Sequence, residues 1–174
     1  MNNWEIKFVK YFNSIGGKKL DTFLGFVNSI RFLAFFWILV VLIAIISHPQ
    51  IAKDFFWAVF LVAVLHFGIT EGVIKNFLTY LFSKRNRPYV EFPKMIKPIG
   101  KKFSDSSFPS SHMTTTVGMF FVICTFFPSL LIPAIVFVLA MAFSRLHNGM
   151  HYPSDILVGV ILGLCYGYLA IFLV

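Results

Sequence analysis

From Ser29 to Ser47 the only charged residue is Arg31, and stretches of similar character recur at 54–83, 111–127, 130–146 and 153–172. A helix needs about 20 apolar residues to cross a hydrocarbon core of about 30 Å, so each run predicts a membrane-spanning helix. The expected fold is an all-α integral membrane protein, a bundle of about five transmembrane helices, with residues 1–174 forming one membrane-embedded domain. A content of 58% hydrophobic residues and a mean hydropathy of +0.82 exclude a soluble domain.

Residues 1–20 set Trp4, Ile6, Phe8, Val9, Tyr11 and Phe12 against Lys7, Lys10, Lys18 and Lys19. That alternation, interrupted at Gly16-Gly17, predicts an interfacial amphipathic helix. Asp21 and Asn28 precede the first long apolar run and Arg31 stands at its start, which argues against a cleaved signal peptide. The 54–83 run is longer than a bilayer requires, so its last turns are expected among the headgroups. Inside it lie His66, Glu71 and Lys75; the last two are spaced i,i+4, and mutual neutralisation is the simplest account of them.

The formal charge of +8 is spread over the ends of apolar segments, which favours an anionic lipid surface over nucleic acid as partner. No obligate protein partner is evident. Cys124 and Cys165 lie inside apolar runs with no ligand spacing around them, so neither a disulfide nor a metal is expected. Residues 84–108 form the one long polar connection, rich in Lys, Arg and Pro, and a loop of that length in so small a chain predicts function. Passing the spans alternately across the bilayer puts the N-terminus, the 84–108 loop and residues 145–155 on one side, with every Lys and Arg except Lys53 on that side or on helix positions leading to it. The positive-inside rule makes that side cytoplasmic, although a phosphate site collects cations whichever way it faces.

Three polar patches reach that side: Arg87-Pro88, Pro109-Ser110-Ser111-His112, and Ser144-Arg145 followed by His151 and Asp155. Read blandly, the last is a wet loop whose Asp155 complements a helix dipole, and Ser110 or Ser111 is an N-cap. Read together, two guanidiniums that can fork onto phosphate oxygens, two imidazoles and a carboxylate predict phosphoryl chemistry. Ser110 and Ser111 open a helix, where backbone N–H groups favour an anion. Gly159, Gly163 and Gly167 recur every four residues below His151 and Asp155, a stripe that permits close helix packing.

In order and spacing these patches resemble the type 2 phosphatidic acid phosphatase family, whose pattern is Lys, six residues, Arg-Pro; then Pro-Ser-Gly-His; then Ser-Arg, five residues, His, three residues, Asp. The third motif matches at every defined position, the second has Ser111 in place of Gly, and in the first the Lys position falls on Tyr80. The resemblance implies that His151 is the nucleophile, that Asp155 holds its ring, and that His112 protonates the leaving oxygen and later activates water, with no metal or other cofactor. Arg87, Arg145, Ser110 and Ser111 would hold the phosphate, and Lys84, one turn before Arg87, is a candidate for the missing lysine. The implied function is a membrane lipid phosphatase. Its substrate would be the 1-phosphate of lipid A, with phosphatidylglycerol phosphate, undecaprenyl pyrophosphate and phosphatidic acid as alternatives. The resemblance implies a bacterial inner membrane with the site facing the periplasm, opposite to the positive-inside assignment. A phosphotransferase and a silent lipid-binding or transport protein are the rivals.

Overall fold

The computed structural model describes residues 3–174, and among them every regular element is helical. Helix α1 spans Asn3–Asn13 and α2 spans Lys18–Val27. The single interfacial helix expected over 1–20, whose first two residues lie outside the described ones, is therefore two. Gly16 adopts φ +81 between them, a left-handed turn that ends one helix and frees the chain to start another. Helix α1 does not merely float on the surface: Val9 is fully buried and Ile6 nearly so.

The bundle follows. Helix α3 spans Ile30–Ser47 and is capped by Ser29, whose hydroxyl accepts from the Phe32 N–H at 3.2 Å. Helix α4, Ala52–Leu65, continues without a break through a π-helical stretch, His66–Leu78, into α5, Thr79–Phe82, so that the whole rod runs from Pro49 to Phe82. A single turn, α6 (Pro88–Glu91), lies in the polar connection. Then come α7 (Ser111–Phe126), α8 (Leu131–His147) and α9 (Pro153–Phe172). Among the described residues four helices are long and apolar enough to cross a membrane; α7, at 16 residues, is shorter and forms the centre of the bundle, with eight of its residues buried. Large apolar side chains such as Phe35, Ile46, Ile132 and Phe172 point outward, as a lipid solvent allows.

The glycine stripe of α9 lies directly on α7. A β-carbon at Gly159 would stand 2.8 Å from the Ser110 carbonyl oxygen, and one at Gly163 2.7 Å from that of Thr114. The two backbones touch only because neither position has a side chain. At the polar end the contact becomes a hydrogen bond, the Ser110 N–H donating to the Asp155 carbonyl at 3.1 Å. The 84–108 connection is folded down over the α8–α9 turn by the Tyr89 N–H to the Gly149 carbonyl and the Ile99 N–H to the Asn148 carbonyl, each at 3.3 Å.

Candidate active site

Pro153 opens α9 at a position needing no N–H, and Asp155, one turn in, accepts from the Tyr152 N–H at 2.8 Å. That cap fixes the backbone before the helix and with it His151, which is 1% exposed. The ring's Nδ1 lies 2.8 Å from the Ser107 carbonyl and 3.8 Å from Asp155 Oδ2. The sequence resemblance gave Asp155 the task of holding the ring; the shorter contact belongs to a backbone carbonyl of the 84–108 loop, because both Asp155 oxygens are already engaged. Oδ1 takes Arg85 Nη1 at 2.7 Å, and Arg85 Nη2 reaches Glu5 of α1 at 2.9 Å. The guanidinium also covers the Tyr152 ring at 4.2 Å. A donor to Ser107 at Nδ1 leaves Nε2 with its lone pair turned toward Arg87, whose Nη1 is 3.4 Å away.

Arg87 and Arg145 are both almost completely buried, and each has an Nε with no partner. Among the described residues the Arg145 guanidinium finds only Asn28 Oδ1, at 3.3 Å. Arg87 finds Asp105 Oδ1 at 2.7 Å and the carbonyl of Met150 at 3.2 Å. Asp105 shares its other oxygen with Lys75 Nζ at 3.1 Å. Burial opposes its ionisation, but Lys75 and Arg87 prevail and hold the carboxyl below the usual range. The His151 pKa is lowered as well, here toward the neutral form: burial first, then the charges of Arg145, Arg87 and Lys75, keep it well below that of a free imidazole. A neutral ring surrounded by cations is what a nucleophile toward an anion requires.

Arg87, Arg145, Lys75, His112 and His151 line one cavity of about 690 Å³. His112 enters it from the first turn of α7, its Nε2 against the Asn28 carbonyl at 3.1 Å. Ser110 is buried with an unpartnered hydroxyl, and Ser111 donates its hydroxyl to Glu71. Lys84 is not in the cavity; it is exposed and bonds the Ser104 carbonyl at 3.1 Å. Tyr80, at the family's lysine position, is 88% exposed. The cation that does reach the site is Lys75, 6% exposed, which the i,i+4 spacing had assigned to Glu71 alone. Both partners are real, since Glu71 Oε1 lies 3.6 Å from Nζ. Lys75 and Arg87 meet at Asp105, the chain having left the helical rod at Ser83, which adopts φ 84. Arg85, Glu5, Asp105, Ser107 and Asn28 were missed in the sequence; only the Arg85-x-Arg87 pair carried any signal of its own. Among the described residues no group of three or more His, Cys, Asp or Glu is arranged to hold a metal ion.

Fold and cavity together define an integral-membrane helical bundle with a cationic hollow at its polar end. The chain belongs to the PAP2 superfamily, whose family model matches residues 54–174 and so includes all three polar patches. It is 34% identical over 110 residues to undecaprenyl-diphosphatase BcrC of Bacillus subtilis (strain 168), covering 61% of this chain and 55% of that protein. To the lipid A 4'-phosphatase of Bacteroides thetaiotaomicron it is 28% identical over 132 residues, 70% of this chain and 58% of that protein. The chain thus spans little more than half the length of the curated relatives it matches. Its fold is that of the Aquifex aeolicus LpxE crystal structure, with a TM-score of 0.66 at 17% identity, covering 98% of this chain and 96% of that one.

Proposed function

We propose that the protein is a membrane lipid phosphatase working through a phosphohistidine. The observation that carries the reading is His151: its unprotonated Nε2 faces Arg87 in a cavity that also holds Lys75, Arg145 and His112 and then continues between α3 and α4 along Leu33, Trp37, Val41, Phe60 and Phe56. One end suits a phosphate and the other an aliphatic tail. Phosphate oxygens would take the place of Asp105 on Lys75 and Arg87 and would also meet Arg145 and the α7 N-terminus. His151 Nε2 forms the bond to phosphorus as the bond to the leaving oxygen breaks, and His112 gives that oxygen its proton. Water then attacks the phosphohistidine, His112 taking the proton and His151 leaving with its electron pair.

As substrate we propose lipid A or a related lipid phosphate, and as location the bacterial inner membrane with the site at the periplasmic face. The test is phosphate release from defined lipids in detergent with EDTA present. Wild type should release phosphate into water without a second lipid as acceptor, and His151→Ala should reduce release at least a thousandfold. Release only when an acceptor lipid is added would make the protein a phosphotransferase, and function surviving His151→Ala would make it a binding or transport protein.

A further inference from the structure

Between the phosphate end and the tail groove the wall is polar, and the π-helical stretch supplies it. Lys75 stands beside Asp105 and Arg87; Glu71 is the next polar residue toward the bilayer centre, and His66 follows it on the same cavity wall. Ser111 and Thr115 of α7 line that wall too. Glu71 Oε1 takes the Ser111 hydroxyl and lies 3.6 Å from Lys75 Nζ and 3.8 Å from His66 Nε2. Among the described residues the one hydrogen bond to the carboxylate falls on Oε1, and Oε2 accepts none. His66 is 5% exposed, and its Nδ1 is buried with no partner. Unsatisfied polar atoms at the depth of a membrane helix are costly, and an aliphatic tail offers them nothing.

The group that passes this neck is the one joining phosphate to tails. We infer that Glu71, His66 and Ser111 form a subsite for hydroxyl or amide N–H donors on that group, so that the preferred substrate is a sugar- or polyol-headed lipid phosphate and not a polyprenyl diphosphate. This rests on the lipid phosphatase reading. Donors on a sugar complete Glu71 Oε2 and the His66 ring. The inner phosphate of a diphosphate would bring a second anion against the carboxylate, which disfavours it. Ser111, in the place of the family's glycine, holds Glu71 toward the cavity.

The experiment uses the full chain in detergent with three probes: a hexosamine-headed lipid phosphate, phosphatidic acid, whose glycerol hydroxyls are all esterified, and undecaprenyl diphosphate. Wild type, Glu71→Gln, Ser111→Gly and His66→Phe are compared as ratios of kcat/KM between probes. Wild type should favour the hexosamine lipid. Glu71→Gln should cut its ratio over phosphatidic acid about tenfold or more and raise the relative rate on the diphosphate. Ser111→Gly should move both ratios the same way by less. Wild-type preference for the diphosphate, or Glu71→Gln changing all three rates by one common factor, overturns the inference, the latter leaving Glu71 a scaffold for Lys75. Turnover that survives His151→Ala sinks the phosphatase reading instead, and is recognised by that variant alone.

Discussion

Replacing Gly163 with alanine adds one methyl group where α9 lies against the backbone of α7. Its carbon would lie 2.7 Å from the Thr114 carbonyl oxygen, 2.7 Å from Val117 Cβ and 3.0 Å from the Gly118 nitrogen. Ordinary contact begins at 3.4 Å, so the helices must part by about 0.7 Å, and two of the three obstacles are backbone that no rotamer change relieves. Overpacking of this kind costs about 1–3 kcal/mol of stability. The catalytic cost is separable, because α7 carries His112 and α9 follows directly from His151, and the two are tied at their polar ends by the Ser110 N–H to Asp155 carbonyl bond. A misplacement of about 1 Å between reacting groups costs about a hundredfold, so kcat should fall by about ten- to a hundredfold. Leucine at this position should do more damage than alanine. Thermal unfolding in detergent and phosphate release measure the two effects, with Gly68→Ala as control because a methyl there meets nothing within 4 Å. Wild-type turnover and melting temperature in correctly inserted Gly163→Ala would refute the idea that this seam aims the two histidines.

The three other predictions concern charge. Lys75→Met should lower kcat/KM by about ten- to a hundredfold through loss of a charge-assisted bond to phosphate, whereas Lys84→Met, at an exposed bond to Ser104, should stay within about threefold; equal effects would return Lys84 to the site. Arg85→Met strips the fully buried Asp155 of its cation and should destabilise the fold by about 3 kcal/mol or more, read by thermal unfolding, with Glu5→Gln milder because Asp155 keeps its partner. The lowered pKa of His151 means that the ring stays neutral as pH falls through 6.5, so its modification by diethyl pyrocarbonate should persist to lower pH than that of a free imidazole. Arg145→Met removes a cation, favours the imidazolium and should shift that profile to higher pH; an unshifted profile would separate the two residues.

The bundle was legible in the sequence because lipid solvent demands long apolar helices, and such runs survive any detail of packing. The three polar patches were legible because their residue types and spacing are chemical requirements. What escaped was set by backbone geometry. Lys75 lies twelve residues before Arg87, too far on a continuing helix, and the two meet at Asp105 because the helix ends at Phe82. The break of the first helix was visible at Gly16-Gly17, but not that α1 would send Glu5 to the α9 N-terminus, since an isolated carboxylate in an amphipathic segment looks like a solvated one. Ser107 contributes a carbonyl to His151, and a carbonyl carries no sequence signature at all.

The charge balance of the cavity explains why the loop and the site are one object. Lys75, Arg87 and Arg145 are buried cations, and burying a cation without an anion is expensive. Glu71 shares Lys75, Asp105 bridges Lys75 and Arg87, and among the described residues Arg145 has only an amide oxygen. The hollow therefore carries more positive than negative charge and retains two guanidinium Nε donors with no acceptor. A phosphate dianion supplies both the missing charge and the missing acceptors. Because Asp105 already holds two of the three cations, phosphate binding on the proposed reading would be an exchange of one anion for another. Asp105 belongs to the same stretch as Ser107, whose carbonyl takes His151 Nδ1, so the residue that a phosphate would displace and the residue that orients the proposed nucleophile are two positions apart on one loop.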